Sequence, residues 1–149
     1  MAERHYRSGS HTKYDIRIHF VWIPKYRKAI LTGIVGTAVR DVIRQICTQH
    51  DWEIVAGKVA PNHVHLFLSI PPHHAPSHVM QIVKGKSSYK MMAQFSYLQK
   101  MYWGRHMWAR GYLAVSSGNI TDEIIARYIQ EQEGEDIHHG SITIKQESL

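Results

Sequence analysis

From Tyr14 to Trp22 every second residue is apolar: Tyr14, Ile16, Ile18, Phe20 and Trp22. A period of two marks a strand with one face in a core. Pro24 ends the run, since it has no N–H to give a sheet ladder. The other face carries Asp15, Arg17, His19 and Val21. The pattern then changes. Over residues 33–50, Val35, Ala38, Val39, Val42, Ile43, Ile46 and Cys47 recur at three- and four-residue spacings, which is one buried stripe on a helix. Residues 52–59 and 63–70 read as two strands joined by the short turn Ala60-Pro61-Asn62, hence a hairpin. A second helix runs over 77–95 with Ser77 as its N-cap, and residues 107–115 read as a fourth strand. Ser116-Ser117-Gly118-Asn119 forms a turn. Thr121 caps a last helix that has Asp122 and Glu123 in its first turn and Gly134 as its stop.

The order strand, helix, strand, strand, helix, strand, helix is an α+β pattern. It predicts an antiparallel sheet with helices packed on one face, a ferredoxin-like or RNA-recognition-type sandwich, extended by a C-terminal helix. With 149 residues, 44% of them apolar, the chain suits one core, and residues 14–134 are read as a single domain. Residues 1–13 carry Arg4, His5, Arg7, His11 and Lys13. Two readings of them stand, a frayed terminus or a basic arm that touches phosphates. Residues 135–149, with His138, His139 and Lys145, read as a mobile polar tail.

Cys47 is the single cysteine, which excludes an intramolecular disulfide and a cysteine-rich zinc site. No apolar run is long enough for a membrane span, and the N-terminus has no signal-peptide core, so a cytoplasmic protein is expected. The net charge of +6 suits a polyanionic partner. Lys25-Tyr26-Arg27-Lys28 sets three cations around one aromatic, a combination that neutralises phosphates and stacks on an unpaired base. Lys84-Gly85-Lys86-Ser87-Ser88 on the second helix lacks the upstream glycine of a P-loop. It fits either close approach to a partner or an ordinary solvated face. Arg17 and His19 join the candidate DNA contacts, Lys25, Tyr26, Arg27, Lys84 and Lys86, through the face of their strand.

The chemistry centres on Asn62-His63-Val64-His65. His63 and His65 share one strand face and form a pair suited to a divalent metal, whereas His73 and His74, beside three prolines, read as solvent-exposed. The bland alternative for the pair is two polar residues on an exposed face, in a chain with 12 histidines. On the last helix, Tyr128 and Gln132 are four apart and project together. A tyrosine can act as a covalent nucleophile, a metal can offset phosphoryl charge, and a glutamine oxygen can complete a magnesium or manganese site.

These motifs resemble the single-tyrosine HUH transposases of bacterial insertion sequences, of the TnpA type. The likeness rests on His-Val-His after Pro-Asn, the later Tyr128-Ile129-x-x-Gln132, Trp22-Ile23-Pro24-Lys25-Tyr26-Arg27, Lys84-Gly85-Lys86-Ser87-Ser88 and Trp108-Ala109-Arg110-Gly111-Tyr112, in that family's order. The resemblance implies that His63, His65 and Gln132 hold Mg or Mn, and that Tyr128 attacks single-stranded DNA to leave a 5′-phosphotyrosine link. It also implies a homodimer that recognises hairpins at the element's ends. Two other readings are a non-catalytic single-strand nucleic-acid binder and a domesticated relative acting on chromosomal repeat hairpins.

Overall fold

The structure is a computed structural model that describes residues 6–102, 106–116, 120–132 and 142–144, with backbone alone for Asp122 and Gln132. Along the chain, β1 (Arg7–Ser8) and β2 (Lys13–Tyr14) form a small ribbon. They are followed by β3 (Arg17–Trp22), α1 (Gly33–Gln49), β4 (Glu53–Ala60), β5 (His63–Ser69), α2 (Pro76–Gln94), α3 (Ser96–Met101), β6 (Leu113–Ser116), α4 (Asp122–Gln132) and β7 (Ile142–Ile144). The main sheet is antiparallel, in the order β6-β3-β5-β4-β7. Without its last strand this is the strand order of the expected sandwich.

Register sorts the side chains. Ile18, Phe20 and Trp22 of β3 and Val64, Leu66 and Leu68 of β5 point to one face, where the α1 stripe and Val79, Met80, Val83 and Met91 of α2 close the core. On β4, a bulge at Val55 shifts the pairing between Ile54 and Ala56. The extra residue lets Ile54 and Val59 both reach the core although they are five apart, and it sends Lys58 to the other face.

Four expectations are corrected. The second helix begins at Pro76 with Ala75 as its cap residue, and no side chain caps it. Ser77 is therefore inside the helix, because proline with its preset φ opens the first turn. The fourth strand is confined to Leu113–Ser116, and Trp108 makes an isolated bridge to Pro24. The irregular stretch 97–107 includes most of α3, which buries Leu98. The polar tail contributes β7, whose Ile142-Thr143-Ile144 pairs with Gly57, Lys58 and Val59. His138, His139 and Lys145 lie outside the described residues, as does most of the 116–119 turn. Ile144 is buried against Gly57, where a β-carbon would come within 2.7 Å of the Ile144 β-carbon.

The N-terminal segment is corrected in part. Arg7 donates to the Ser69 carbonyl at 2.9 Å, pairs with Asp51 at 2.8 Å and lies over the Tyr14 ring at 5.3 Å. Its guanidinium fastens the ribbon to the end of β5, so it is neither frayed nor directed at a phosphate. Arg4 and His5 lie outside the described residues.

Two predictions test this packing. Ile144→Ala should lower stability by about 2–4 kcal/mol in denaturant melts, as for a large core residue truncated to alanine. A change within about 0.5 kcal/mol, typical of a surface site, would mean that β7 does not hold the sheet edge. Cys47 supplies a pH test, because burial pushes its thiol from 9.0 up to about 12. Between those values the folded state binds more protons than the unfolded chain, so its contribution is complete below about pH 9 and is lost towards pH 12. Melts at about pH 8 and about pH 10.5 should show a larger alkaline loss in the wild type than in Cys47→Ala.

Candidate functional site

β5 places His63 and His65 on the face opposite the core, as the alternation predicts. His63 is buried, and its Nδ1 lies 3.0 Å from Asn62 Oδ1. An amide oxygen only accepts, so Nδ1 carries the proton and Nε2 keeps the lone pair that could ligate a metal. Burial first, then the charges of Lys58 and His65, lower the His63 pKa to about 4. The ring is thus neutral at pH 7, the form that binds a metal.

His65 Nε2 lies 3.0 Å from His19 Nδ1. His19 is 8% exposed and stacks on Phe67 with ring centres 3.8 Å apart and planes 3° from parallel. The sequence sets His19 among the DNA contacts; in the fold it is buried on the same sheet face as His65 and touches that ring. Lys58 is the register partner of His65 and is exposed on the same face. Sequence reasoning missed Lys58 because strict alternation along β4 puts it on the core side with Ile54. Glu53 is far along the strand, opposite Ser69, and lies 3.5 Å from Arg7.

The last helix crosses this same face. Ile125 and Ile129 of α4 pack on Val21 and Ile23, with Ala109, Leu113, Ile120 and Tyr128 at the margin. Val21 is the register partner of His65, which sets α4 beside the histidine pair. Thr121 Oγ1 accepts from Ile124 N at 3.3 Å, the cap expected from the sequence. Tyr128 is half-buried, and desolvation raises its pKa. Its hydroxyl faces Gly111, where a β-carbon would lie 3.6 Å away. The Gln132 side chain lies outside the described residues. Among the described residues no group of three or more His, Cys, Asp or Glu side chains is arranged to hold a metal ion. The two imidazoles fit two positions of a divalent site, and any further ligand comes from another residue type, from Gln132 or from outside.

The sequence profile "Transposase IS200 like" matches residues 12–132. The chain belongs to this transposase family. It is 31% identical over 126 residues to the ISDra2 transposase TnpA of Deinococcus radiodurans, covering 85% of this chain and 90% of that one. It is 35% identical over 130 residues to the transposase for insertion sequence element IS200 of Salmonella typhimurium, covering 87% of this chain and 85% of that one. Among solved structures, a putative transposase from Deinococcus radiodurans superposes with a TM-score of 0.80 at 31% identity, covering 87% of this chain and 99% of that one. A REP-associated tyrosine transposase bound to a REP hairpin shares the fold, with a TM-score of 0.53 at 17% identity, over 83% of this chain and 65% of that one. Among the described residues of the transposase, no helix is long and apolar enough to cross a membrane.

Several cations expected at the DNA surface of this transposase have internal partners. Arg17 Nε pairs with Asp15 Oδ1 at 2.7 Å. Arg27, expected at the DNA surface, is buried and donates to the Ile129 carbonyl at 3.1 Å. Lys84 Nζ donates to the carbonyls of Ala109, Arg110 and Gly111 at 2.7, 2.9 and 3.2 Å, and burial lowers its pKa. Ser87 Oγ accepts from the Trp108 indole at 2.8 Å, and Ser88 Oγ accepts from Met107 N at 3.1 Å. The close partner of the Lys84–Ser88 motif is thus the chain's own 107–111 segment, which lines the Tyr128 hydroxyl. Lys86 is exposed and lies 3.0 Å from His50 Nε2. Tyr26 is 59% exposed, and Lys25 lines a cleft of about 350 Å³ with His106, Trp108 and Arg110. His73 is exposed as expected, whereas His74 accepts from the Trp52 indole at 2.7 Å.

Lys84→Met should therefore cost about 1–3 kcal/mol in denaturant melts, because three backbone carbonyls lose their charged donor. Lys86→Met should stay within about 0.5 kcal/mol. Equal effects would overturn the anchoring assignment.

Proposed function

We propose that this transposase cleaves and rejoins single-stranded DNA at insertion-sequence ends, with Tyr128 as the nucleophile and His63, His65 and Gln132 as ligands for Mg or Mn. The observation that carries the reading is the seating of α4 on Val21, directly across from His65. A helix bearing a half-buried phenol lies against the strand face that bears the two imidazoles.

The phenolic oxygen of Tyr128 attacks the scissile phosphorus, and the bond from phosphorus to the 3′ oxygen breaks. The phenolic proton is balanced by the one gained by the 3′-hydroxyl, and the DNA is left as a 5′-phosphotyrosine ester. Attack by a different 3′-hydroxyl reverses the step and joins the strands. One phosphoester replaces another, so no ATP is consumed. Burial disfavours the phenolate, so Tyr128 needs help to lose its proton. A divalent cation at the histidine pair supplies charge stabilisation for the phosphate when bound. Asn62 fixes the His63 tautomer, and His19 holds the His65 ring.

Hairpin-bearing DNA is the proposed substrate, in keeping with the family and with the REP hairpin bound by the distant relative of the same fold. A homodimer in the cytoplasm is part of the same reading. The binding-module alternative needs bare aromatics on the open sheet face, and Phe67 there is stacked on His19.

The test is incubation with labelled single-stranded hairpin DNA from the element's ends and Mg or Mn, followed by a denaturing gel. The wild type should yield a metal-dependent protein–DNA adduct. Tyr128→Phe should reduce it to background while hairpin affinity is kept. Persistence of the adduct in Tyr128→Phe would move the nucleophile to another residue.

A further inference from the structure

Arg27 is the one buried Lys or Arg among the described residues, at 6% exposure. It sits in a turn where Tyr26 and Arg27 have φ of 60° and 48°, a left-handed conformation unfavourable for side chains of this size. The turn is closed by Arg27 N donating to the Pro24 carbonyl and tied to the body by Lys25 N donating to Met107 O. It faces its two long side chains in opposite directions, with Tyr26 to solvent and Arg27 inward.

The inward target is specific. Arg27 Nη1 donates to the carbonyl of Ile129, 102 positions away. Ile129 lies in the last described turn of α4, towards its C-terminal end. That end is the negative pole of the helix dipole, where a cation is favoured. An 11-residue helix is too short to persist alone, and α4 buries just Ile125 and Ile129 among its described side chains. The Arg27 bond adds to the packing of Ile125 and Ile129, one residue from Tyr128.

We propose that Arg27 is a positioning residue, a latch that caps α4 from the Lys25–Arg27 turn and holds Tyr128 on the histidine face. Its guanidinium serves the nucleophile helix and makes no phosphate contact. The inference rests on the reading of Tyr128 as nucleophile, and the experiment separates the two.

Arg27→Gln and Arg27→Lys are compared with the wild type by hydrogen exchange of peptides over residues 122–132, by the single-turnover rate of adduct formation, and by hairpin affinity against salt. In Arg27→Gln, amides of α4 should exchange roughly tenfold faster while β3 and β5 are unchanged, the scale of a lost charge-assisted hydrogen bond. The adduct rate should fall about tenfold or more, with affinity and salt slope kept. Arg27→Lys keeps the charge without the planar fork and should lie between. Unchanged exchange of α4 overturns the proposal. So does weakened binding with a salt slope reduced by about one, the mark of a lost phosphate contact. If Arg27→Gln loses the whole fold, Arg27→Lys decides: faster exchange confined to α4 supports the latch, and uniform exchange overturns it. If the wild type forms no adduct, the Tyr128 reading fails by itself, while the exchange data still judge the latch.

Discussion

β3 and β5 are paired on both edges, so their backbone groups are satisfied within the sheet and their side chains are sorted by parity alone. One parity builds the core under α1 and α2. The other carries His19, Val21, His63, His65 and Phe67 to the opposite face. Because these are central strands, the imidazoles stand on the most constrained backbone in the molecule. The rest of the site depends on that constraint. The His19–His65 contact needs the β3–β5 register, and α4 finds its seat on Val21 through the same pairing. A register slip of one residue would turn every histidine into the core.

The cations show a second constraint. A net charge of +6 speaks to association with polyanions, yet Arg7, Arg27 and Lys84 each donate to backbone carbonyls at element ends or in loops. Carbonyls outside helices and ladders need donors, and a long cationic side chain reaches them while its stem covers apolar surface. Arg7 ties the N-terminal ribbon to β5, Arg27 ties α4 to the Lys25–Arg27 turn, and Lys84 ties the 109–111 segment to α2. Lys58, Lys86 and Arg110 keep exposed side chains, and Lys25 is half-buried along the cleft.

Family membership states that the chain is a transposase, and the geometry shows how a small fold can prepare that chemistry. Asn62 selects the tautomer of His63, His19 touches His65 from the neighbouring strand, and Lys58 adds a cation at the rim. Arg27 and Lys84 hold the two sides of the tyrosine, its helix and the loop against its hydroxyl. None of these supports adjoins its client in sequence except Asn62.

Much of this was legible in the chain itself. Periods of two and of three to four located β3, α1 and the β4–β5 hairpin, because burial of one face imposes those spacings regardless of partners. The His63–His65 pair followed from strand alternation, Tyr128 and Gln132 from helical spacing, and the Thr121 cap from its hydroxyl. What could not be read was whatever depends on distant backbone. β7 is three residues long and is stabilised by the space that Gly57 leaves on β4. Lys58 reached the site through one bulged residue, which reverses parity without a sequence mark. The fate of each cation was decided by where unpaired carbonyls fell in space. Local periodicity determined the elements and the two chemical faces, since it acts between near neighbours. Tertiary structure alone decided that Arg27 and Lys84 turn inward, because their partners lie 102 and 25–27 positions along the chain.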